Sequence, residues 1–474
     1  MPTSAMSSAK WWTSGLLLVA ALAVGQWQTT SIDTLTPAPG RCWIGLQAIV
    51  VDDAGTLHAA WSEAGADGAR RILYARRHPD SAWSEPDTVT EQAGSAPALA
   101  VEPVSGQPHV TYSWPSDAEA EVYYATRTDS GWQLTQLTDN DHYDVSPSVA
   151  LEDDHAHVAW ITVDSADAYR IGYASNRSGS WSAQTLLGSQ LGGFGTGAAP
   201  FLAVEPGGRA HVSYRGGDYN DYSIHHAENR SPGDTAWDCE SLSSVNLQDY
   251  SSALSAGDSG ALLLALSGND GWGMPFRSCY LRRAAGAPNW DPYELMTGSS
   301  SAALCGFAVH DGVVHITWER ISGNIATGEL YHCSNVSGSW VSSALRPDGM
   351  THCGALAVDT SHAGHCLVVS GPGLDSQRVY CINSEPFTSV EERHPVAGLR
   401  ARAATLCRVP VRIAARGDTH VGVYSAAGAL VRTLAVTDTG AVLWDGLDHK
   451  GRTVPAGTYF ARAGERSTAF VLLR

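Results

Sequence analysis

The sequence predicts an all-β protein in which a seven-bladed β-propeller precedes a small immunoglobulin-like β-sandwich. Two residue types support the propeller, because they recur at intervals of about 50 residues, the length of one four-stranded blade. The residues that close successive repeats are Trp83, Trp132, Trp181, Trp237, Trp290, Trp340 and, in the seventh place, Phe387. The residues that open one strand of each repeat are His58, His109, His157, His211, His315 and His365, with Leu262 near that position in the fifth repeat.

Each repeat divides into four short strands. In the second repeat they lie at Pro97–Glu102, His109–Ser113, Glu121–Arg127 and Trp132–Leu137. Apolar and polar residues alternate along them, and turns carry Gly, Asp, Asn and Ser, whereas no convincing amphipathic helix is found. The repeats occupy 43–90, 95–138, 146–187, 198–243, 250–296, 301–345 and 351–393, inside a propeller domain at 41–393. Residues 26–40 are predicted to be a linker or to close the ring with a strand from Ser31–Gly40.

The charge of the chain limits its partners. The 474 residues carry a formal net charge of −18 and only 30 Lys and Arg residues. A nucleic acid or an anionic membrane is bound through a basic surface, so neither is expected as a partner. An acidic surface suits a soluble protein outside the cell or a cation ligand.

The N-terminal segment has the pattern of a secretory signal peptide, predicted at residues 1–25. Lys10 provides the positive region, an apolar run of 11 residues follows at Gly15–Gly25, and Ala21-Leu22-Ala23 is a cleavage pattern of small residues. The run is too short to span a bilayer as a stable helix, so no transmembrane segment is expected in the mature chain. We therefore expect a secreted or outer-membrane/cell-surface associated protein. An N-terminal membrane anchor is the alternative.

The chain contains nine cysteines, an odd number that leaves at least one unpaired within the chain. Cys333 and Cys381 occupy equivalent strand positions in the sixth and seventh repeats, and Cys305 and Cys353 both lie near the start of a first strand. Disulfides between neighbouring blades are therefore one interpretation, and small buried thiols are the other. No pair has the Cys-x-x-Cys spacing, so no zinc or redox site is expected.

The repeat stops at Pro395, and residues 396–474 follow another pattern. Its motifs are Gly428–Leu434 (GALVRTL), Leu443–Gly446 (LWDG) and Pro455–Phe460 (PAGTYF). This segment resembles the immunoglobulin-like domain of flagellar hook-capping proteins and of type IX secretion C-terminal sorting domains. The resemblance implies recognition by secretion machinery, followed by outer-membrane export or surface attachment. A stabilising accessory module is the alternative. Five residues are expected to fill the core of the sandwich: Val423, Leu434, Trp444, Tyr459 and Phe460.

The repeated histidines and tryptophans are interpreted as structural. Each blade has to solve the same packing problem, whereas histidines that bind one metal would converge from different positions. We therefore predict no metal site among the repeated histidines. The repeat also accounts for nine of the 16 tryptophans, and only Trp114 and Trp272 remain as loop aromatics without such an explanation.

The unrepeated loop residues are the candidates for a ligand site. Loops that join the second strand to the third, and the fourth strand to the next blade, meet on one face of a propeller and display its functional residues. The candidates there are Asp139, Asp141, His142, Tyr143, Arg215, Asp218, Tyr219, Asp270, Trp272 and Arg320. Together they would form an acidic funnel for a glycan, a peptide or a cation. Calcium stays open as a cofactor, although the Asp139-Asn140-Asp141 stretch lacks the EF-hand pattern. Turn-forming residues on a solvated face are the alternative.

Catalysis is the competing interpretation. The repeats resemble sialidase-like, BNR-type propellers, whose Ser-x-Asp-x-Gly-x-x-Trp box corresponds to Thr126–Trp132, Ser175–Trp181 and Ser334–Trp340, but the central Asp is out of register. Such sialidases hold a carboxylate with three arginines, and only Arg215 and Arg320 are candidates. A propeller polysaccharide lyase would instead use His142, Tyr143, Arg215 and Tyr219. We favour a non-catalytic glycan-recognising protein, with a carbohydrate-active hydrolase or lyase as the alternative.

Overall fold

The computed structural model is built almost wholly from β-strands. The residues it describes are 27–36, 39–65, 70–92, 97–115, 119–164, 169–191, 199–218, 221–231, 236–242, 248–257, 260–269, 276–296, 302–322, 325–336, 340–346, 351–387, 406–407, 411–414, 420–425, 430–436, 441–455, 457–463 and 466–472. Among these residues a single turn of 3₁₀ helix at Leu374–Ser376 is the only helical element. The described part of the chain contains no helix with the length and apolarity that crossing a membrane requires.

The strands up to residue 387 fall into groups that follow the repeats. The first strand of the chain is β1 (Thr29–Thr34). Unit one contains β2 (Cys42–Trp43), β3 (Ile49–Val51), β4 (Leu57–Ala64), β5 (Arg70–Arg77) and β6 (Asp87–Thr90). Unit two contains β7 (Ala98–Val101), β8 (Pro108–Trp114), β9 (Glu121–Thr128) and β10 (Gly131–Gln136). Unit three contains β11 (Tyr143–Glu152), β12 (His155–Val163), β13 (Tyr169–Ser175) and β14 (Ser182–Leu191).

The later units repeat this order. Unit four contains β15 (Phe201–Val204), β16 (Ala210–Asp218), β17 (Asp221–Asn229) and β18 (Trp237–Ser241). Unit five contains β19 (Gln248–Ala256), β20 (Leu262–Asn269), β21 (Phe276–Arg283) and β22 (Glu294–Leu295). Unit six contains β23 (Ala302–His310), β24 (Val313–Ser322), β25 (Ile325–Ser334) and β26 (Val341–Arg346). Unit seven contains β27 (Thr351–Val358), β28 (Ala363–Ser370) and β29 (Arg378–Pro386).

The units are antiparallel sheets arranged around a ring. In unit two, for example, the strand order is β7-β8-β9-β10. The first strand of each unit contacts the first strand of the next, from β3 through β7, β11, β15, β19, β23 and β27, and β27 contacts β3. The predicted all-β propeller fold is confirmed. The count of seven blades stays a prediction, because one sheet runs from unit three into unit four through a parallel bridge between Leu191 and Gly217.

The N-terminal strand completes the last unit. Strand β1 pairs antiparallel with β29, with Ile32 opposite Ile382 and Asp33 opposite Cys381. It is the fourth strand of the sheet that contains β27, β28 and β29. The strand begins and ends earlier in the chain than the Ser31–Gly40 segment expected to close the ring. The sheet of unit seven is therefore built from both ends of the propeller sequence, which covers the edge that β29 would otherwise expose.

The repeated histidines join neighbouring strands and units. In unit one, His58 Nε2 lies 3.2 Å from Asp52 Oδ2, and its Nδ1 lies 2.6 Å from the Tyr74 hydroxyl. The ring of Tyr74 meets the edge of Trp132, the closing tryptophan of unit two, at a centroid distance of 5.4 Å. Units two and three repeat this chain of contacts as Glu102–His109–Tyr124–Trp181 and Glu152–His157–Tyr173–Trp237. These contacts explain why the markers recur once per unit.

A glycine in unit three makes room for a core tryptophan. Gly172 is the register partner of Trp160, and a Cβ atom at position 172 would lie 2.2 Å from the indole Cε2. We expect Gly172→Ala to lower the free energy of unfolding by about 3 kcal/mol, since both groups sit in a packed sheet. Urea denaturation measures this loss. In a Trp160→Leu background the same change should cost much less, and equal costs in both backgrounds would contradict the packing argument.

The C-terminal segment forms two further sheets. Its strands are β30 (Leu406–Cys407), β31 (Val411–Ala414), β32 (His420–Ser425), β33 (Leu430–Ala435), β34 (Ala441–Trp444), β35 (Gly457–Ala463) and β36 (Arg466–Leu472). One sheet has the order β30-β36-β35-β32-β33, and β31 pairs with β34. Val423, Trp444 and Tyr459 are buried in a common core, as expected. Phe460 was wrongly expected there: it is exposed, because successive side chains of a strand point to opposite faces. The immunoglobulin-like and sorting assignments stay predictions.

Seven of the nine cysteines are thiols in the structure. Seven positions carry no disulfide in the structure: Cys42, Cys239, Cys279, Cys305, Cys333, Cys366 and Cys381. Burial raises the pKa of the Cys333 and Cys381 thiols to about 12, so these side chains pack as small apolar groups. The interpretation as buried thiols therefore describes Cys333 and Cys381 better than a bridge does.

Candidate functional site

The topology places the predicted site residues at one end of the strands. Asp139, Asp141 and His142 lie in the connection from β10 to β11, and Tyr143 is the first residue of β11. Arg215 and Asp218 lie on β16 toward its turn into β17, and Arg320 lies on β24 toward its turn into β25. Antiparallel order puts these connections on the same face of the propeller. Tyr219, Asp270 and Trp272 lie outside the described residues.

Arg320 is engaged within its own unit. Its guanidinium lies 3.1 Å from the Glu329 carboxylate, and the Tyr331 hydroxyl donates to the same oxygen at 3.1 Å. The hydrogen bond and charge of Glu329 raise the pKa of the exposed Arg320. A carboxylate ligand would have to compete with Glu329 for this arginine, which weakens the case for the sialidase-like arrangement.

The loop between units two and three is organised by Asn140, which the sequence analysis did not single out as a site residue. Its backbone N–H donates to Glu121 Oε1 at 2.9 Å, and its side-chain amide donates to Asp144 Oδ2 at 2.9 Å. Its Oδ1 accepts from the backbone N–H of His142 at 2.7 Å. One residue thus fixes the loop, through its backbone to a strand of unit two and through its side chain to the first strand of unit three.

Two buried carboxylates lie beneath this loop. Asp144 is 1% exposed and Glu121 is 7% exposed, and one oxygen of each, Asp144 Oδ1 and Glu121 Oε2, has no hydrogen-bond partner among the described residues. A buried acceptor without a partner costs roughly 1–3 kcal/mol. Burial raises the pKa of Glu121, and the carboxylates of Asp144 and Asp139 raise it further. Folding therefore retains two buried acceptors beneath this loop without a hydrogen-bond partner in the described part of the chain.

An aromatic side chain stands beside these acceptors. Trp114 is the cross-strand partner of Glu121, so the two side chains lie on the same face of the sheet. Trp114 is partly exposed and meets the edge of Tyr123 at a centroid distance of 6.3 Å. The sequence flagged Trp114 as unexplained by the repeat, but it missed Glu121. The sequence signal that could have identified Glu121 is an acidic residue at the start of an otherwise buried strand.

His142 completes the cluster on its solvent side. Its Nδ1 lies 3.4 Å from Thr162 Oγ1, and its Nε2 lies 3.8 Å from the exposed Asp141. We call Trp114, Glu121, Asn140, His142 and Asp144 the inter-blade cluster. Its carboxylate oxygens accept hydrogen bonds from hydroxyl groups or coordinate a hard cation, and its negative charge disfavours an anionic ligand.

A groove lies on the opposite face, between units five and six. Its volume is about 980 Å³, and its lining includes Tyr280, Arg282, Asp291, Glu294 and Trp340. The Trp340 indole donates to Glu294 at 3.2 Å and packs edge-on against Tyr280. These two aromatic groups belong to the contacts that join successive units. Two residues that line the groove, Tyr280 and Trp340, are therefore repeated structural residues of the propeller. The residues of the inter-blade cluster do not follow the repeat.

Two groups of described residues have the geometry of a metal site. His211, His226 and Glu228 converge in unit four, and His310, Asp311 and His362 converge where units six and seven meet. In the second group Asp311 is 74% exposed, and its Oδ2 lies 3.9 Å and 3.7 Å from the two imidazoles. The first group is buried and more closely packed.

The chain matches no known family model and no curated protein sequence. Among solved structures, the polysaccharide lyase Uly1 superposes with a TM-score of 0.52 at 10% identity, over 77% of this chain and 100% of that chain. The phage phi92 endosialidase gives a TM-score of 0.46 at 11% identity, over 94% of this chain and 87% of that chain. The β-propeller domain of the Trilobed protease from Pyrococcus furiosus gives 0.43 at 9% identity, over 75% and 97%. The likeness to Uly1 establishes a shared fold and nothing about activity.

Proposed function

We propose that this protein is a glycan-recognising β-propeller that binds a hydroxyl-rich, uncharged or cationic sugar at the inter-blade cluster. The observation that carries this proposal is the pair of buried, unpartnered acceptors, Glu121 Oε2 and Asp144 Oδ1, beside the partly exposed ring of Trp114. Sugars present hydroxyl donors around an apolar ring face. Carboxylates that accept from the hydroxyls and an aromatic side chain that covers the ring face are the groups that such a ligand requires.

The charge of the cluster narrows the ligand class. Glu121, Asp139, Asp141 and Asp144 lie on or under one loop. A uronate or sialate would meet these carboxylates at close range, which is costly in a partly desolvated site. The lyase with the same fold is, by its name, specific for a polysaccharide, which agrees with a glycan ligand in general. The local charge favours a neutral glycan over an acidic one.

A glycan array followed by calorimetry tests the proposal on the secreted full-length protein. We expect one glycan class to bind, and we expect Trp114→Ala and Asp144→Asn each to weaken that binding at least tenfold. Asp129→Asn removes the same charge from an exposed turn on the other face and should leave binding unchanged. If both cluster variants bind the glycan as well as the wild type, and Arg282→Ala does not bind it, the ligand site is the groove on the opposite face. Failure to bind any glycan would refute the proposal.

Calcium is the competing ligand for the same oxygens. Ca²⁺ requires six to eight oxygen ligands, and the cluster offers Glu121, Asp144 and the exposed acids of the loop. Titration of the protein with CaCl₂, with and without glycan, separates the two possibilities. If calcium alone releases heat on binding, and Asp144→Asn abolishes that heat, then this site binds a cation instead of a sugar.

A hydrolase is the second candidate function, and the raised pKa of Glu121 favours it. A carboxyl group whose pKa is raised by burial, beside a second carboxyl group, is the arrangement of a general acid in glycoside hydrolysis. Incubation with the glycans that bind, followed by a reducing-end assay, distinguishes the two functions. If the protein cleaves a glycan, and Glu121→Gln abolishes cleavage but not binding, the protein is an enzyme. If the glycan stays intact after long incubation, the protein is a binding protein.

Export and surface delivery are proposed from the sequence alone. We propose that residues 1–25 are removed on secretion and that residues 396–474 direct the protein to the secretion machinery and the cell surface. N-terminal sequencing of the exported protein tests the first step, and a retained Met1 would overturn it. Deletion of 396–474 should leave the propeller folded but mislocalised, whereas unchanged localisation would favour the accessory-module interpretation.

A further inference from the structure

We propose that unit four contains a buried site for a divalent transition metal such as Zn²⁺, ligated by His211, His226 and Glu228. These residues lie on the adjacent strands β16 and β17. They occupy a region separate from the inter-blade cluster, so the proposal is independent of the ligand that the protein binds. The metal would tie the second and third strands of this unit together.

Two of the three distances between the donor atoms match a tetrahedral site. His211 Nδ1 lies 3.2 Å from His226 Nε2 and 3.3 Å from Glu228 Oε2. Ligands at about 2.0–2.1 Å from a tetrahedral zinc are separated from one another by about 3.3–3.4 Å. The third pair, His226 and Glu228, has donor atoms within 4.8 Å of each other, so all three donors lie close enough to share one ion.

The outer nitrogens of both imidazoles are held by carboxylates. His211 Nε2 lies 3.0 Å from Glu205 Oε1, and His226 Nδ1 lies 2.9 Å from Glu240 Oε1. Glu240 also accepts from the Trp290 indole at 2.8 Å, which fixes its position. A carboxylate on the distal nitrogen is the usual support of a metal-bound histidine, because it sets the tautomer and the ring orientation.

The two imidazoles turn one nitrogen each toward the other. His226 Nδ1 faces Glu240, which leaves Nε2 with the lone pair when that ring is neutral. His211 has a carboxylate on each side, Glu205 at Nε2 and Glu228 at Nδ1, and Glu228 Oε2 also accepts from Arg283. A metal ion at this point would take the lone pairs of both inner nitrogens and would compete with Arg283 for Glu228.

The charge balance of the surroundings supports a divalent ion. Three carboxylates, Glu205, Glu228 and Glu240, surround the two histidines, and Arg283 is the cation that contacts Glu228 and lies 3.6 Å from Glu240. Without counting the imidazoles, this set has a net charge of −2, the sum of three carboxylates and one guanidinium. Both histidines are fully buried, so uncompensated charge here is costly. A divalent cation brings the set to neutrality.

The repeats show that these ligands are particular to unit four. Units one to three have a tyrosine at the position of His226. At the position of Glu228, which pairs in register with the repeated histidine, those units have Arg76, Thr126 and Ser175. Unit six provides an internal comparison, because His315 and His332 also lie 3.2 Å apart but the corresponding residue is Ser334. His332 Nδ1 has no partner among the described residues, so its ring can donate the one N–H across the pair. That pair requires no metal.

The donor set indicates the class of metal. Two imidazoles and one carboxylate suit Zn²⁺, and also Co²⁺, Ni²⁺ or Cu²⁺, in preference to Ca²⁺ or Mg²⁺. Glu228 is 21% exposed on its side chain, so an ion can enter from that side and take its remaining ligand from solvent. The sequence analysis predicted no metal among the repeated histidines. Here one repeated histidine is joined by two residues that do not follow the repeat.

Metal analysis of the tag-free full-length protein tests the proposal. After removal of metal with a chelator, Zn²⁺ titration should show one tight site, and Co²⁺ should give the visible absorption bands of a tetrahedral complex. His226→Tyr, which restores the side chain of the other units, should abolish this site. Glu228→Ser should weaken it at least tenfold.

Two variants serve as controls. His332→Tyr makes the same exchange in unit six, and His362→Ala removes the exposed group near Asp311, so neither should change the binding of the tight ion. Zn²⁺ should raise the thermal midpoint of the wild type and of these controls but not that of His226→Tyr. A stoichiometry near zero, or a tight site that survives both His226→Tyr and Glu228→Ser, would overturn the proposal.

Discussion

Acidification from pH 7 to pH 4 is expected to unfold the propeller. Burial lowers the pKa of His157 to about 4 and that of His315 to about 3, and it also lowers the pKa values of His58 and His109. An unfolded histidine titrates near its ordinary pKa of about 6.5. Between that pH and the folded pKa the unfolded chain binds protons that the native state cannot, so the free energy of unfolding falls as the pH falls.

The size of the effect follows from the individual shifts. One pKa unit corresponds to about 1.4 kcal/mol, so His157 alone withdraws about 3 kcal/mol by pH 4. Its ring faces Tyr173 and Glu152, and the charges of Arg177 and His155 lower its pKa further. His315, whose pKa is lowered further, adds a loss of the same order, and the two together take up much of the stability of an ordinary domain, about 5–15 kcal/mol.

The carboxylates act mostly in the same direction. Burial alone would raise the pKa of Asp359, but hydrogen bonds from His365 and Ser361 lower it well below its ordinary value. Such a group stabilises the fold above its unfolded pKa and withdraws that stabilisation as the pH falls. Glu121 acts in the opposite direction, since its pKa is raised and its protonation favours the native state at low pH. One opposing group does not offset several histidines.

Urea denaturation followed by tryptophan fluorescence at pH 7, 5.5 and 4.5 measures this loss. His157→Gln should be less stable at pH 7 but should lose less on acidification, because it no longer carries the buried titrating group. His142→Gln changes a histidine at the surface and should retain the wild-type pH dependence. A midpoint that stays constant from pH 7 to pH 4.5 would show that the buried histidines do not control acid stability.

The fold was predictable because its markers repeat. A histidine such as His157 occupies the same strand position in six of the seven units, and in units one to three it contacts the equivalent tyrosine. One packing arrangement is therefore repeated in the sequence. The repeat also predicts where the histidines are not ligands. The strand register corrects one detail. In unit five Leu263, rather than Leu262, takes the place of the repeated histidine, because it pairs with the first strand as His211 does in unit four.

The candidate sites were predictable only in part, because they depend on contacts between units. Asp144 and Glu121 are 23 positions apart in the chain, and they meet because β9 of unit two and β11 of unit three pack side by side. No periodic pattern indicates that contact. The His226 and Glu228 pair did leave a signal, since both depart from the residues that the other repeats have there. In a repeat protein, the departures from the repeat are the places to look for chemistry.

Deletion of residues 27–36 is expected to abolish the cooperative folding of the propeller. These residues form β1, the fourth strand of unit seven, and they include the buried Trp27 and Leu35. The Trp27 ring packs 5.6 Å from Phe387 and 5.3 Å from His332. Removal of a buried tryptophan alone costs about 3–5 kcal/mol. The deletion also exposes the edge of β29, which invites pairing between molecules.

The same strand joins the last unit to the first, so the deletion also opens the ring. Asp33 on β1 accepts from Arg77 of unit one at 2.5 Å and from the Trp83 indole at 3.3 Å, while it accepts from Asn383 of unit seven at 3.0 Å. A protein that begins at Gln26, after the predicted signal peptide, retains all of these contacts and should unfold in one sharp transition as a monomer by light scattering. The protein that lacks 27–36 should instead aggregate or melt broadly, and Asp33→Ala should lie between the two. If the shortened protein melted as sharply as the control, closure by β1 would not be what stabilises the ring, and contacts between the units would suffice without it.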